Sequence, residues 1–216
     1  MSDAIPLRPD RRRVRNRAAL LGAAETLFAA RGVDAVSVDE IVGAADLAKG
    51  TFYNHFADKD ALAREIQRGV RSDAETRVDE INASVVDPAA RVARALAVFA
   101  KFALEHPTRA RVMTRLSSRA TDVESPLNRG LLADVTAGIR AARFTASSRD
   151  TAALFVMGTV QISIARVIDE SLPRAAVEKL VGELAAFLLR GLGVEKAEAK
   201  SVGESAARVV REGVAT

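Results

Sequence analysis

The sequence predicts an all-α fold of nine or ten helices, a small N-terminal helical unit followed by a larger one. Three observations carry this. Apolar residues recur at three- and four-residue spacing in almost every periodic segment, the repeat of one helix face. Strand signals are close to absent: aromatics are 4% of the chain, and no Asn-Gly or Asp-Gly turn joins alternating runs. Prolines fall at the ends of the periodic segments. With 216 residues, 49% apolar and 28% charged, the chain is long enough to bury a core and has a globular balance.

The first helix spans about Val14 to Arg31, with Leu20, Leu21, Ala24, Leu27 and Phe28 on one stripe and Gly32 just past its end. Ser37-Val38-Asp39-Glu40 is a capping box. It opens a short helix whose apolar face is Val38, Ile41, Val42 and Ala45. Asp46-Leu47 breaks the pattern, and a second short helix runs from Ala48 to Phe56. Asp58-Lys59-Asp60 opens a long helix to about Val85, its apolar side Leu62, Ile66, Val70, Ala74, Val78 and Ile81. Pro88 starts the next helix and Pro107 stops it; Val92, Leu96, Phe99 and Ala103 form its stripe. Arg109 to Ser118 is helical, Thr121 to Ser125 is a loop, and Pro126 begins a helix ending near Phe144. Ser147-Ser148 separates that helix from Ala152–Ile168. This run is apolar but interrupted by Thr159, Gln161, Ser163 and Arg166, which suits a buried helix better than a membrane span. Pro173 starts a last long helix to Gly191. Residues 194–216 read as a tail or a weak extra helix on Val202, Ala206, Val209 and Val210, with Gly203 and Gly213 favouring fraying.

Composition removes several function classes. The chain has no cysteine, hence no disulfide framework, thiolate metal site or thiol nucleophile. Its two histidines, His55 and His106, are too few for a histidine cage. No catalytic residue, metal ligand or cofactor is expected. The best enzymatic candidates are His106 with Glu105 or Arg109, but no nucleophile, base and orienting group come together there, and Glu105-His106-Pro107 reads as a helix end. Met1 to Asp10 lacks an apolar signal region, which points to a cytoplasmic protein. Net charge is +4, unevenly spread. Residues 1–17 hold six arginines, Arg15 among them, against two aspartates; such a basic arm attracts a phosphate backbone. Residues 108–149 hold eight arginines against three acidic residues, an excess of +5.

Two short helices joined by a brief turn and preceded by a longer one form a helix-turn-helix at 37–56. A helix that reads the major groove needs a slim body, a polar exposed side and an apolar back. Thr51, Asn54 and His55 supply the polar side, Phe52 and Phe56 the back. Gly50 allows close approach to phosphates, and Lys59 sits just past the helix, where a phosphate contact is natural. The run Lys49-Gly50-Thr51-Phe52-Tyr53-Asn54-His55-Phe56, followed by Lys59 and Leu62, resembles the DNA-binding signature of TetR-type transcriptional regulators. The close resemblance covers about residues 14–74. It implies that Ser37 caps the second helix and touches a phosphate, and that Lys49, Gly50 and Thr51 open the recognition helix. Thr51 and Tyr53 would bind the DNA backbone, Asn54 and His55 sit near bases or phosphates, and Lys59 anchors a phosphate. Two departures stand out. Asp46 replaces the glycine of the turn, a residue that tolerates the left-handed region better than most. Ala48 replaces a Ser or Thr cap, which costs roughly 0.5–2 kcal/mol.

Residues 75–193 would then form an effector-binding and dimerisation domain. The resemblance implies a small-molecule pocket. Phe99, Phe102, Met113, Phe144, Phe155 and Met157 offer an apolar lining, with Arg115, Arg119 and Gln161 as polar handles. The basic excess over 108–149 points to an anionic effector. Residues 152–168, and the stripe Val177, Leu180, Val181, Leu184, Leu188 and Leu192 within 175–192, would build a four-helix interface across a two-fold axis. Two recognition helices would then meet successive major grooves of a palindromic operator, about 34–36 Å apart. The expected protein is a homodimeric repressor released by its effector, without a membrane segment. An activator or effector-independent DNA-binding protein is the alternative, and an enzyme on a helical scaffold a distant one.

Overall fold

The computed structural model describes residues 11–116, 122–145 and 148–211. Among the described residues it contains ten α-helices, one 3-10 turn and no strand. Helix α1 (Arg11–Arg31) starts three residues earlier than expected, because Arg11, Arg12 and Arg13 are good helix formers and continue its register. Gly32 ends it at φ +81°. Helices α2 (Val38–Ala44) and α3 (Lys49–Tyr53) follow. Leu20, Phe28, Val36, Ile41, Phe52 and Leu62 close a small core beneath them, each at most 1% exposed.

Helix α4 (Lys59–Asn82) packs against α1 and also against α5 and α6, so it belongs to both halves of the chain. It stops three residues short of the expected Val85. There the Arg91 guanidinium donates to the carbonyls of Asn82 (2.9 Å) and Val85 (3.2 Å), satisfying oxygens that a helix end leaves open. Helix α5 (Pro88–Glu105) is the central strut, in contact with α4, α6, α7, α8, α9 and α10. Its N-cap Asp87 accepts from Ala89 and Ala90, and its many buried alanines let neighbours approach closely.

Pro107 both ends α5 and opens α6 (Pro107–Arg115), two residues before the expected start, since proline suits the first position of a helix. A 3-10 turn (Pro126–Asn128) leads into α7 (Arg129–Arg140). This helix ends well before Phe144: Ala142 turns left-handed (φ 54°), and the Phe144 ring folds back over Gly138. A Cβ at Gly138 would lie 2.1 Å from that ring.

Helix α8 (Arg149–Asp169) is capped by Ser148, which accepts from the Thr151 amide. By length and composition it is apolar enough to cross a membrane. It packs one side against α5, α6, α7 and α9. Helix α9 (Arg174–Gly191) follows, then α10 (Lys196–Arg211). Residues 196–211 are therefore neither tail nor frayed helix. Ala199, Ala206, Ala207, Val209 and Val210 are buried along α9 and α5. Gly203 marks the closest crossing, where an added Cβ would stand 2.7 Å from the Gly182 carbonyl oxygen. The glycine serves close packing, which one segment read alone does not reveal. Gly213 lies outside the described residues.

The expected interface stripe on α9 also needs correction. Val177, Val181, Leu188 and Leu192 are buried within the chain, because α10 and α5 cover that side. The apolar residues that face outward are Leu154 (41% exposed), Phe155 (45%) and Ile162 (67%) on α8, and Phe187 (64%) on α9.

Candidate functional site

The first half of the site is the helix-turn-helix. Ser37 has extended backbone and accepts from the Glu40 amide (3.2 Å), while the Glu40 carboxylate accepts from the Ser37 amide (2.8 Å), a complete capping box. The Ser37 amide, and after it the Arg31 guanidinium, hold the Glu40 carboxyl down at about 2. A carboxyl lowered in the folded state stabilises above its ordinary value of 4.5 and loses that contribution as pH falls toward 2. Glu40→Gln keeps the cap geometry and removes the charge. Its melting temperature is expected to lie below wild type at pH 6 and to converge with it near pH 2. A constant gap across that range contradicts this origin.

Asp46 adopts φ 52°, so the turn keeps its left-handed residue without glycine. Ala48 makes no side-chain cap to α3. Helix α3 is only five residues long, against the expected span from Ala48 to Phe56. Asn54, His55 and Phe56 follow in a tight turn closed on the Phe52 carbonyl (His55 and Phe56 amides, each 2.9 Å), which returns Phe56 to the core before α4 begins.

Phe52 and Phe56 form the apolar back, with rings 5.9 Å apart. Lys49, Gly50, Tyr53 and Asn54 are exposed; Thr51 and His55 are half-buried. The Tyr53 ring meets Phe52 edge-on at 5.3 Å and is itself 55% exposed. Lys49 reaches back to Asp39 (2.8 Å), whose carboxylate raises the ammonium above its ordinary value. A phosphate contact by Lys49 therefore replaces an existing pair. Lys59 is not an outward-pointing anchor: its ammonium donates to the Val36 carbonyl (2.8 Å) and braces the start of α4 on the loop before α2. Arg15 is exposed on α1. Two residues on, Arg17 pairs with Glu65 of α4 and lies over the Phe56 ring (5.1 Å), fixing the reading head to the long helix.

The second half is a cavity of about 670 Å³ enclosed chiefly by α4, α5, α7 and α8. Phe99, Met113, Met157 and Gln161 lie on its wall. Four other expected residues lie elsewhere. Phe102 is 1% exposed under the guanidinium groups of Arg77 and Arg109 (5.7 Å each). Phe144 covers Gly138. Arg115 donates to the Ala30 carbonyl (2.7 Å) at the end of α1. Arg119 lies outside the described residues. Phe155 faces outward beside Gly191.

Among the described residues, no arginine of the basic segment 108–149 lies on the wall. Arg109 pairs with Asp73 (2.6 Å), Arg143 with Asp87 (2.9 Å) and Glu198 (2.8 Å), and Arg149 with Glu124 and Asp150. The polar wall comes instead from Arg64, Arg68, Arg71, Glu75 and Asp79 of α4, with Arg91 and Asp134 opposite. The α4 positions are spaced by three or four and form one helical stripe. That spacing is visible in sequence but is indistinguishable there from a solvated charged face.

Two helices join the halves. Helix α4 leaves the reading head and lines the cavity from Arg64 to Asp79. Helix α6 places Met113 on the wall while Arg109 reaches Asp73 and approaches Glu25 (3.8 Å), and Arg115 holds Ala30. Elsewhere, the His106 ring rests 5.1 Å from that of Phe102, and Glu105 accepts from Arg174 (3.4 Å), the contacts of a helix end.

Comparison with known proteins agrees with this layout. The HTH-type transcriptional repressor KstR2 of Rhodococcus jostii (strain RHA1) is 42% identical over 71 residues, 33% of this chain and 35% of the relative. KstR2 of Mycobacterium tuberculosis (strain ATCC 25618 / H37Rv) is 34% identical over 76 residues, 35% and 38% of the two chains. The chain thus matches little more than a third of these curated relatives. Among solved structures, RolR in complex with resorcinol is similar with TM-score 0.67 and 27% identity, covering 90% of this chain and 96% of that one. A gamma-butyrolactone receptor (ArpA-like protein) shares the fold with TM-score 0.66 and 22% identity, covering 94% and 100%. Residues 20–66 match the model for bacterial regulatory proteins of the tetR family, and residues 87–207 that for the tetracyclin repressor-like C-terminal domain. The chain therefore belongs to the tetR family of bacterial regulatory proteins.

Proposed function

We propose that this protein is a cytoplasmic, homodimeric transcriptional repressor released from a palindromic operator by a small-molecule effector. The observation that carries the proposal is continuity: one helix, α4, is braced to the reading head through Arg17 and Glu65 and forms a wall of the 670 Å³ cavity. An effector that binds one position of α4 better than another shifts the population between DNA-competent and DNA-incompetent states. A coupling of about 1–3 kcal/mol suffices for regulation. The likeness to a repressor over the reading head, and to RolR with resorcinol bound over most of the chain, supports both halves. Within the reading head, Ser37, Gly50, Thr51, Tyr53, Asn54 and His55 are the proposed DNA contacts, with Arg15 and Lys49 on the phosphates.

Dimerisation is assigned to the outward residues of α8 and α9, Phe155, Ile162 and Phe187, flanked by Leu154. Four large apolar side chains exposed on neighbouring helices are what an association surface provides. Joint replacement of Ile162 and Phe187 by glutamate is expected to weaken the dimer by at least about tenfold in sedimentation equilibrium. An unchanged dimer contradicts the assignment.

Selection of bound fragments from total genomic DNA tests the function. The expected product is a small set of sites, each with two inverted half-sites about one helical turn apart. Recovery of fragments in the proportions of the input contradicts sequence-specific regulation.

A further inference from the structure

The cavity wall has a charge arrangement that composition did not suggest. Its half-buried cations, Arg71 and Arg91, are already paired. Arg71 donates to Glu75 (2.7 Å) and to the Asn128 side-chain oxygen (2.9 Å), and its guanidinium lies over the Phe99 ring (5.3 Å). Arg91 donates to Asp134 (2.5 Å) and to two main-chain carbonyls. The acceptors are only partly used. Among the described residues, no donor reaches the second carboxylate oxygen of Glu75 or of Asp134, or either oxygen of Asp79. Neither Glu75 nor Asp134 has an oxygen sealed in protein without a partner, so the open ones meet accessible space on the wall. The other described cations on the wall, Arg68 and Arg64, are solvent-exposed one and two turns from Arg71 toward the reading head, where water and salt screen them.

We propose that this cavity selects an uncharged or positively charged effector with an apolar body and hydrogen-bond donors, held by the open acceptors of Asp79, Asp134 and Glu75, and that it discriminates against anions. The inference rests on the cavity being the effector site. The apolar body meets Phe99, Met113, Met157, Leu131 and Ile164. A ligand carboxylate in the same place would meet acceptors instead of donors, the open oxygens of half-buried Glu75 and buried Asp134, with exposed Asp79 adding a weaker, screened repulsion. The carboxyls themselves register this crowding. Burial pushes both Glu75 and Asp134 up, the attraction of Arg71 and Arg91 opposes the shift without reversing it, and the Asp79 charge adds to it. A donor relieves that crowding and an anion increases it.

Three probes of one size test the proposal on the full-length protein: 1-naphthylmethylamine, 1-naphthol and 1-naphthoate, titrated calorimetrically. The amine and the naphthol are expected to bind at least about tenfold more tightly than the carboxylate. Asp79→Asn, an exposed position that leaves folding intact, is expected to narrow the gap, and Asp134→Asn to narrow it further if its melting curve shows a folded chain. Naphthoate binding as tightly as the other two, or a gap unmoved by Asp79→Asn, overturns the proposed selectivity. Ala95→Trp fills the cavity and separates this failure from that of the underlying reading. Loss of binding in that folded variant places the probes in the cavity. Binding of all three unchanged by Ala95→Trp, or of none to the wild type, contradicts the cavity as an effector site.

Discussion

Replacing Phe52 with alanine is expected to abolish specific DNA binding and to cost about 3–5 kcal/mol of stability, the range for emptying a buried aromatic site. Phe52 is fully buried, packed edge-on against Tyr53 and tilted against Phe56. Helix α3 has five residues and an N-cap that makes no side-chain bond. A helix this short has no stability of its own, so its position comes from what it buries. Without the Phe52 ring, Lys49, Gly50, Tyr53 and Asn54 lose the platform that presents them together. Denaturant unfolding and operator affinity, measured on the same variant, check this. Retained specific binding with a loss under about 1 kcal/mol means that the reading head is held by something other than its apolar back.

Gly203→Val is expected to destabilise the chain by about 3 kcal/mol, the upper end of the range for overpacking. Helix propensity alone predicts the opposite sign, because glycine is the poorer helix former by a few tenths of a kcal/mol or more. The crossing of α9 and α10 decides the matter. The first atom of any side chain at 203 would stand 2.7 Å from the Gly182 carbonyl oxygen and 3.1 Å from the Ala186 nitrogen. Both are backbone atoms of α9, so the two helices must move apart, exposing Ala206, Ala207 and Val210. Because α9 also carries Phe187, the variant is expected to dimerise less well. Thermal melts of wild type, Gly203→Ala and Gly203→Val should fall in that order. A variant as stable as wild type shows that α10 is not docked on α9 as described.

The reading head was legible in the sequence because its determinants are local. The Ser37–Glu40 capping box, the left-handed Asp46 and the Phe52/Phe56 spacing each act within a few residues, and each has its expected geometry. The cavity was only half legible. Phe99, Met113, Met157 and Gln161 lie on its wall, whereas Phe102, equally apolar and one turn from Phe99, lies farther along α5, under Arg77 and Arg109. Periodicity shows that a residue is buried, not which neighbour buries it. The same gap explains Arg115 and Lys59, whose partners are the carbonyls of Ala30 and Val36, distant in sequence for both. It also explains the α9 stripe, an apolar face that α10 and α5 cover within the chain. Charge was least transferable. Three arginines of the +5 segment, Arg109, Arg143 and Arg149, are taken up in ion pairs with Asp73, Asp87, Glu124 and Glu198, and Arg115 by a main-chain carbonyl.

On this proposal the exposed face of α3 reads DNA by sequence. Fluorescence anisotropy tests it most directly, with one genomically selected site and a scrambled duplex of the same composition titrated across a salt series. Binding to the selected site is expected to be tighter by about 10³-fold or more, with affinity for both falling steeply as salt rises because Arg15, Lys49 and their neighbours displace counterions. Equal affinity for the two duplexes at every salt concentration contradicts it, and reduces the helix-turn-helix to an electrostatic surface.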